Sequence, residues 1–179
     1  MRALFSFVAV LVAIAAIAAY FSLFVVQQTQ QAIVLQFGEP VREIKDPGLY
    51  FKIPVAQTVE YFDNRILDLD TRPQEVIASD RKRLVVDSFA RYRIVDPLLF
   101  FQRVRDERIA RSRLGAVLDS SLRRVLGSAT FQDVVRDKRE DLMAEITRQV
   151  NNEGKGFGVK IIDVRIKRAD LPEANSQAI

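Results

Sequence analysis

Two aspartates separated by one residue are the first candidates for chemistry in this sequence. Asp68 and Asp70 fall on the same side of a predicted strand, where paired carboxylates could act as general acid and general base. No apolar pocket or third polar partner is readable beside them, so the pattern is more typical of surface charges. The 179-residue chain has no Cys and no His, which excludes thiol nucleophiles, imidazole bases and Cys or His metal ligands.

Two further motifs resemble known signatures but lack their context. Residues 154–158, GKGFG, resemble a phosphate-binding loop, yet they follow a predicted helix and precede a predicted strand, the reverse of what such a loop requires. Ser120 and Ser121 lie within a helical pattern, without a nucleophile elbow. The sequence therefore predicts no catalytic residue, no metal, no cofactor and no small-molecule substrate, and it indicates a protein that is not an enzyme.

The charge pattern bears on nucleic acid as a partner. The chain carries 27 basic and 23 acidic residues, a formal net charge of +4. The arginines between residues 103 and 113 are interspersed with Asp106 and Glu107, whereas a nucleic-acid surface is usually a cleaner basic stripe with interleaved aromatics. We therefore expect solvated helical faces and no nucleic-acid partner.

An uncharged apolar run occupies residues 3–26. As a helix it would span roughly 36 Å, enough for a hydrocarbon core of about 30 Å. The sequence thus predicts a transmembrane anchor over residues 1–26. A cleaved signal peptide is the alternative, since residues 16–18, AIA, offer a small-x-small site, but the apolar run continues well beyond them. The predicted lipid-facing residues are Leu4, Phe7, Leu11, Ile14, Ile17, Phe21 and Phe24.

The positive-inside rule gives the anchor an orientation. Arg2 and the N-terminal amine precede the apolar run, and the uncharged residues 27–31 follow it. Positive charge favours the cytoplasmic side. We therefore expect a single-pass protein with its N-terminus in the cytoplasm and its body outside.

The body reads as an α+β domain with strands first. Alternating apolar residues and turn signals predict a small, mainly antiparallel sheet over residues 27–95, and its clearest strand covers residues 84–95. From Asp96 the period becomes helical, and two helices and a final strand bearing Ile162, Val164 and Ile166 are predicted over residues 96–170. Thr130 and Asp133 resemble a capping box between the helices.

The last residues read as the start of another helix. Residues 171–179 begin with Leu171 and Pro172, a pattern found at helix N-termini. They carry no termination signal. We expect this helix to open a C-terminal helical region that the sequence lacks.

Two apolar clusters are candidates for contact outside the core. The first consists of Leu49, Tyr50, Phe51 and Ile53, which follow the anchor closely and could contact the membrane surface. Residues 98–101, LLFF, form the second. Core packing is the alternative for both, because consecutive apolar residues are common in buried strands and at helix starts.

Several stretches together resemble a known family. Residues 31–38, QAIVLQFG, and 47–54, PGLYFKIP, resemble the opening of the stomatin/prohibitin/flotillin/HflK-C (SPFH) domain, also called band 7. Residues 72–80, RPQEVIASD, 84–94, LVVDSFARYRI, and 168–179, RADLPEANSQAI, are similar to one bacterial branch of it. The resemblance implies an SPFH domain behind the anchor, in the bacterial inner membrane, with a periplasmic body.

The resemblance also implies partners and a function. Members of that branch assemble with an HflK-like paralogue into a large cage around the membrane protease FtsH and modulate its access to membrane-protein substrates. A module that organises membrane lipid, with protease association secondary, is the alternative. Assembly of this kind needs two different faces on each subunit. The candidates are charged residues of the predicted helices, for which a plain solvent face is the alternative, namely Arg103, Arg105, Arg108, Arg136, Lys138, Arg139 and Glu140.

Overall fold

A computed structural model describes residue 12 and residues 19–170 of the chain. The predicted anchor residues Leu4, Phe7, Leu11, Ile14 and Ile17 lie outside this range. The chain divides into two compact units, with the boundary between Asn64 and Arg65. Among the helices of the described residues, none is both long enough and apolar enough to cross a membrane.

The first unit contains five strands in two antiparallel sheets. They are β1 (Leu23–Val26), β2 (Gln30–Gln36), β3 (Glu39–Ile44), β4 (Gly48–Phe51) and β5 (Gln57–Asp63). One sheet has the order β3-β2-β5, and β1 pairs with β4 in a two-stranded ribbon. The core of this unit contains Phe24, Val26, Ala32, Val34 and Ile44.

Strand β1 corrects the predicted end of the anchor. Leu23–Val26 form a strand that pairs with β4, so the helical residues end at Ser22 rather than at Val26. Phe24, predicted to face lipid, instead lies in the core of the first unit at 9% exposure. Sequence could not separate the two conformations because the last four residues of the run, LFVV, are apolar on both faces of a strand.

The second unit builds one sheet around a long central strand. It comprises β6 (Leu67–Asp70), β7 (Gln74–Ile77), β8 (Arg83–Ile94), α1 (Pro97–Arg103), α2 (Glu107–Gly127), a π-helical turn (Asp133–Asp137), α3 (Arg139–Gly154), a 3-10 turn (Lys155–Phe157) and β9 (Val159–Asp170). Strand β9 pairs along most of β8, and β6 and β7 pair in tandem with its two halves. The α+β class is confirmed.

The boundary between the units differs from the predicted change of subdomain after residue 95. Strand β8 pairs with β9 from the other end of the chain, and alternate β8 residues such as Leu84, Val86 and Tyr92 are buried. Helix α2 contacts β6 and β7, and α3 contacts β9. Strands β6 to β8 therefore belong to the same compact unit as the helices.

Two local irregularities shift residues from their predicted faces. A bulge between Arg91 and Tyr92 pairs Arg91 with Asp163 and Tyr92 with Ile161, so Ile162 is the extra residue and is 38% exposed rather than buried. The predicted second helix is interrupted at Lys138 between the π-helical turn and α3, and Val135 is 39% exposed.

The predicted capping box is confirmed. The Thr130 hydroxyl accepts from the Asp133 N–H at 3.3 Å, and Asp133 Oδ2 accepts from the Thr130 N–H at 3.2 Å. Two hydrogen bonds from Thr130 hold the pKa of the Asp133 carboxyl below its ordinary value. The bond from the Thr130 hydroxyl has the larger effect, and the bond from the Thr130 N–H has the next largest. This reciprocal pair fixes where the chain re-enters helical conformation after α2.

Candidate functional site

The β1–β4 ribbon exposes an apolar face in the first unit. Its antiparallel register places Leu23 opposite Phe51 and Val25 opposite Leu49. These four side chains, which we call the ribbon face, are 51%, 57%, 58% and 65% exposed in that order. Residues alternate across a strand, so all four point away from the core that Phe24 and Val26 enter. A contiguous exposed patch of this kind is typical of a binding surface rather than of scattered surface residues.

The ribbon face changes the membership of the predicted membrane-contact cluster. Leu49, Phe51 and Ile53 are exposed, Ile53 at 49%. Tyr50 instead turns inward, where its ring packs on Phe24 with a centroid distance of 6.0 Å and its hydroxyl donates to the Asp46 carbonyl at 2.9 Å. The sequence prediction missed Leu23 and Val25 because it included them in the anchor helix, and the strand alternation of β4 was the signal that separates Tyr50 from its neighbours.

Chain connectivity places the ribbon face at the end of the apolar N-terminal run, because β1 is formed by the last four residues of that run. The Lys52 N–H donates to the Ser22 carbonyl at 2.7 Å, which joins the end of β4 to the residue before β1. Tyr20 and Phe21, immediately upstream, are 79% and 62% exposed. The end of the apolar run and Phe51 are therefore close together in the first unit, and both would meet the same surroundings.

A second exposed apolar feature of the first unit combines backbone strain with large side chains. Phe37 in the β2–β3 turn and Val55 before β5 adopt φ angles of +52° and +71°. Phe37 is 84% exposed and Val55 is fully exposed, and the Phe37 N–H donates to the Ala56 carbonyl at 3.3 Å, so the two loops meet. A left-handed conformation is a genuine outlier for a β-branched valine. Such strain, on the order of 1–3 kcal/mol, is concentrated at functional loops.

The paired aspartates of β6 have different surroundings on the outer face of the second sheet. Asp70 Oδ1 accepts from Lys167 Nζ at 2.6 Å, and Lys167 also lies over the Phe89 ring at 5.7 Å. Asp68 is the cross-strand neighbour of Arg91. Asp70 is thus engaged in an ion pair, whereas the Asp68 side chain forms none among residues 19–170.

Arg91 forms a bidentate pair with Asp163 at the bulge of β9. Its Nε donates to Oδ1 at 2.8 Å and its Nη2 to Oδ2 at 2.7 Å. The hydrogen bonds from Arg91 hold the pKa of Asp163 below its ordinary value. The same bonds, followed by the charges of Asp163 and Asp68, raise the pKa of Arg91. This outer sheet face holds fixed charges in pairs.

The glycine-rich segment serves as a connector between α3 and β9. Residues 155–157 form the 3-10 turn, and Gly158 follows at φ +71°. A Cβ atom at Gly158 would lie 2.4 Å from the Asp96 carbonyl oxygen, so the position requires glycine. Ser120 donates to the Val117 carbonyl at 2.9 Å and Ser121 is fully buried within α2. Both motifs have structural roles here.

The predicted assembly residues fall into two groups in the second unit. At the α1–α2 junction, Arg105 lies over the Phe101 ring at 5.7 Å, and Arg108 pairs with the helix-capping Asp106 at 3.0 Å. The Arg103 carbonyl accepts from Arg113 at 3.2 Å. Hydrogen bonding to Asp106 raises the pKa of Arg108. This group is held in place by contacts within its own chain.

The second group surrounds the start of α3. Arg136 is exposed, with its Nε 3.9 Å from Asp137, and Lys138 lies 3.3 Å from Asp133. Arg139 donates to the Ile166 carbonyl of β9 at 2.6 Å. Arg139 and Glu140 line a groove of about 650 Å³ between α3 and β9, with Met143, Ala144 and Ile162 on its floor. Among the described residues, no three Asp or Glu side chains come together as a possible metal site.

Comparisons with known proteins give the family of this fold. The family model described as SPFH domain / Band 7 matches residues 24–179. A protein of Escherichia coli K12 named "Modulator of FtsH protease HflC" is 28% identical, with 89% of this chain and 62% of that protein aligned. The Haemophilus influenzae "Protein HflC" is 30% identical over 89% of this chain and 58% of its own length. For the Buchnera aphidicola (Schizaphis graminum) "Protein HflC", the values are 29%, 88% and 59%. The chain therefore spans roughly six tenths of these relatives.

Proposed function

Since the chain belongs to the SPFH domain / Band 7 family, we propose that it is a membrane-attached, non-enzymatic scaffold subunit that modulates an FtsH-type membrane protease. The observation that carries this proposal is the similarity, along 89% of the chain, to a protein named as a modulator of FtsH. The geometry supports a scaffold, because Asp70 is engaged in an ion pair, Ser121 is buried within α2 and residues 155–157 form a turn.

The mechanism would be geometric. Copies of this chain and an HflK-like paralogue would surround the protease at the bacterial inner membrane, with the body on the periplasmic side. A wall of subunits limits the lateral entry of membrane-protein substrates without any bond being made or broken. The charged groups at the α1–α2 junction and at the start of α3 would supply contacts between subunits, because a closed ring needs two different faces on each.

The ribbon face would hold the first unit against the membrane surface. Each of its four side chains is about half exposed, and full burial of such a side chain contributes roughly 1.5–3 kcal/mol. Lipid contact by all four would therefore contribute roughly 3–6 kcal/mol before any ordering cost. Its position at the end of the apolar run supports contact with the same bilayer that the earlier part of the run would enter.

The proposal is tested by extracting the full-length protein from its own membrane in mild detergent. Native particle size and partner identity by mass spectrometry are then measured together. We expect a very large particle that contains an HflK-like subunit and an FtsH-type protease. In reconstituted membranes, the protease within this particle should degrade a membrane substrate at a different rate from the protease alone. The two should degrade a soluble substrate at the same rate. A small particle without either partner would contradict the proposal.

The ribbon face also favours a second candidate, a module that organises lipid around itself. The chain contains no Trp, so Phe51→Trp places a single fluorescent reporter on that face. Ile77→Trp in the second unit, where Ile77 is 61% exposed, is the matched control. We expect brominated lipid to quench the emission of the Phe51→Trp variant and not that of the control. Lipid organisation becomes the better account if the ribbon reporter is quenched while the particle lacks both proposed protein partners.

A further inference from the structure

The two edges of the second sheet are treated differently by the rest of the chain. Along β9, side chains of α3 form hydrogen bonds with three backbone groups of the strand. Asn151 Oδ1 accepts from the Ile161 N–H at 3.0 Å, Thr147 Oγ1 accepts from the Val164 N–H at 3.0 Å, and Arg139 donates to the Ile166 carbonyl. These contacts close the β9 edge to another strand, as proteins do with sheet edges that must not pair.

The β6 edge has no such cover. Leu67–Asp70 pair with β8 on one side, and within residues 19–170 no helix side chain or strand hydrogen-bonds to the backbone on the other side. A groove of about 590 Å³ follows this edge, between β6 and the Arg111 to Gly115 turn of α2. An uncovered strand edge presents unpaired N–H and C=O groups to which a further strand can add.

Gly115 leaves room on the α2 side of this groove. It lies in the middle of the 21-residue helix α2, where glycine is less favourable than alanine by roughly 1 kcal/mol. A Cβ atom there would meet only Thr71 Cγ2, at an ordinary 3.9 Å. Packing within the described chain therefore does not require the glycine. A backbone approaching α2 from outside would.

Arg111 completes the acceptor side. It is exposed on α2 four residues before Gly115, so the two share one helix face above the groove. Among the described residues it forms no ion pair, in contrast to Arg91 and Arg108. An occupant with a carboxylate beside its backbone would satisfy it.

We propose that the β6 edge receives strand β5 of a second copy of this chain, with Glu60 of that copy paired to Arg111. Strand β5 is itself an outer strand, and Thr58–Tyr61 carry an exposed glutamate that has no ion pair among the described residues. Strand β3, also an outer strand, contains Pro40, which has no N–H to donate.

This contact has a defined consequence for assembly. It joins two different edges, so each copy offers one donor strand and one acceptor groove, and successive copies can add in one direction until a ring closes. The inference rests on the proposed scaffold function and specifies one contact within it. Related subunits that carry the same two edges could alternate with this chain in the same way.

Cross-linking tests the contact directly because the chain contains no Cys. Differently tagged full-length copies bearing either Thr58→Cys or Ile66→Cys are co-expressed and treated in membranes with a short bismaleimide. Ile66 lines the β6 groove and is 49% exposed. We expect a covalent product carrying both tags. Copies bearing Ile77→Cys, at the end of β7 and 61% exposed, replace the Ile66→Cys copies in the control and should give none.

The outcomes separate the inference from the function on which it rests. A large native particle without the Thr58–Ile66 product, or with product only from Ile77, overturns the β5–β6 contact and leaves the scaffold in place. Absence of any large particle overturns both. The two-tag product within a large particle supports both.

Two variants give an independent measure. Gly115→Gln fills the notch in α2 and should maintain or raise the free energy of unfolding, yet lower the assembled fraction about tenfold. Ala116→Gln, on the neighbouring exposed position, should leave assembly unchanged. Arg111→Glu should weaken assembly to a similar extent, and Glu60→Arg in the same chain should restore it. Wild-type assembly by Gly115→Gln, or failure of the charge exchange to restore it, overturns the proposal.

Discussion

The first unit leaves apolar side chains uncovered on its ribbon face, whereas the second unit covers the outer face of its main sheet with ion pairs. Both faces are built by the same alternation of residues along antiparallel strands. On the ribbon, the outward positions are Leu23, Val25, Leu49 and Phe51. On the second sheet, they include Asp70 with Lys167 and Arg91 with Asp163.

Under the proposed function, this difference corresponds to two different surroundings for one chain. Exposed apolar area is unfavourable in water, so lipid contact would stabilise a patch that lies next to an apolar segment. Paired charges are compatible with contact with water, and their arrangement favours some protein partners over others. In that proposal the first unit would contact the membrane, and the second unit would face water and other subunits.

The largest expected effect is a loss of stability of the second unit, whose main sheet carries the ion-paired face. Gly158→Ala adds a Cβ atom 2.4 Å from the Asp96 carbonyl oxygen and 2.9 Å from the Phe100 nitrogen, at a φ of +71°. We expect the unfolding free energy of this unit to fall by roughly 3 kcal/mol or more. Chemical denaturation measures the loss.

Gly156→Ala is the matched control for this change. A Cβ atom at Gly156 would have no atom within 4 Å, so the same substitution two residues earlier should be close to neutral. Quenching of the Phe51→Trp reporter by lipid should survive Gly158→Ala if the first unit folds independently. Equal destabilisation by the two alanines would contradict the role assigned to the Gly158 connector.

The next effect separates the two faces of the ribbon. Tyr50→Ser removes the contact with Phe24 and the hydrogen bond to Asp46, and should lower the unfolding free energy of the first unit by about 2 kcal/mol. Phe51→Ser removes an exposed ring and should change stability in detergent by less than about 0.5 kcal/mol. Only Phe51→Ser should weaken contact between an otherwise folded first unit and lipid.

A measurement of both properties on both variants decides between lipid contact and core packing. Stability is read by denaturation in detergent, and lipid contact by hydrogen exchange of the β4 amides in bilayers. If Phe51→Ser lowers stability and leaves lipid protection unchanged, the ribbon face is a packing surface and the contrast between the units disappears.

Much of the fold could be predicted from local pattern. The strand predicted over residues 84–95 is β8 (Arg83–Ile94), because its alternation is unbroken over more than four residues on each face. The Thr130–Asp133 box lies where its spacing predicted. Both depend on interactions between residues close in sequence, which a single sequence reports well.

The parts that could not be predicted depend on contacts distant in sequence. The bulge that exposes Ile162 exists because β9 pairs with β8, which lies far earlier in the chain. The membership of the ribbon face depends on β1 pairing with β4, and β1 is indistinguishable from a continuing apolar helix by composition. The acceptor groove at β6 was not visible either, since Gly115 and Arg111 approach that strand only in the folded unit.

The smallest expected effect concerns the charged side of the contrast and its dependence on pH. Asp163→Asn removes the charged acceptor of the bidentate pair with Arg91. It should lower the stability of the second unit by less than Gly158→Ala does, and by less than Tyr50→Ser lowers that of the first unit, because both side chains of the pair are partly exposed. The pKa of Asp163 lies below its ordinary value of 3.8 in the folded chain. The pair therefore stabilises the fold above that value, and its contribution is lost as pH falls through the lowered pKa.

Lowered pKa values at Asp106 and Asp133 also weaken the second unit in acid, so the informative quantity is the stability difference between wild type and Asp163→Asn. We expect this difference to be constant near neutral pH and to shrink as pH falls below about 4, where wild-type Asp163 loses its charge as well. Asp80→Asn, whose carboxylate lies 3.5 Å from Lys82 Nζ, is the matched control. A stability difference that stayed undiminished to about pH 2 would mean that the Arg91–Asp163 pair does not depend on the charge of Asp163. Packing rather than charge would then stabilise this sheet face.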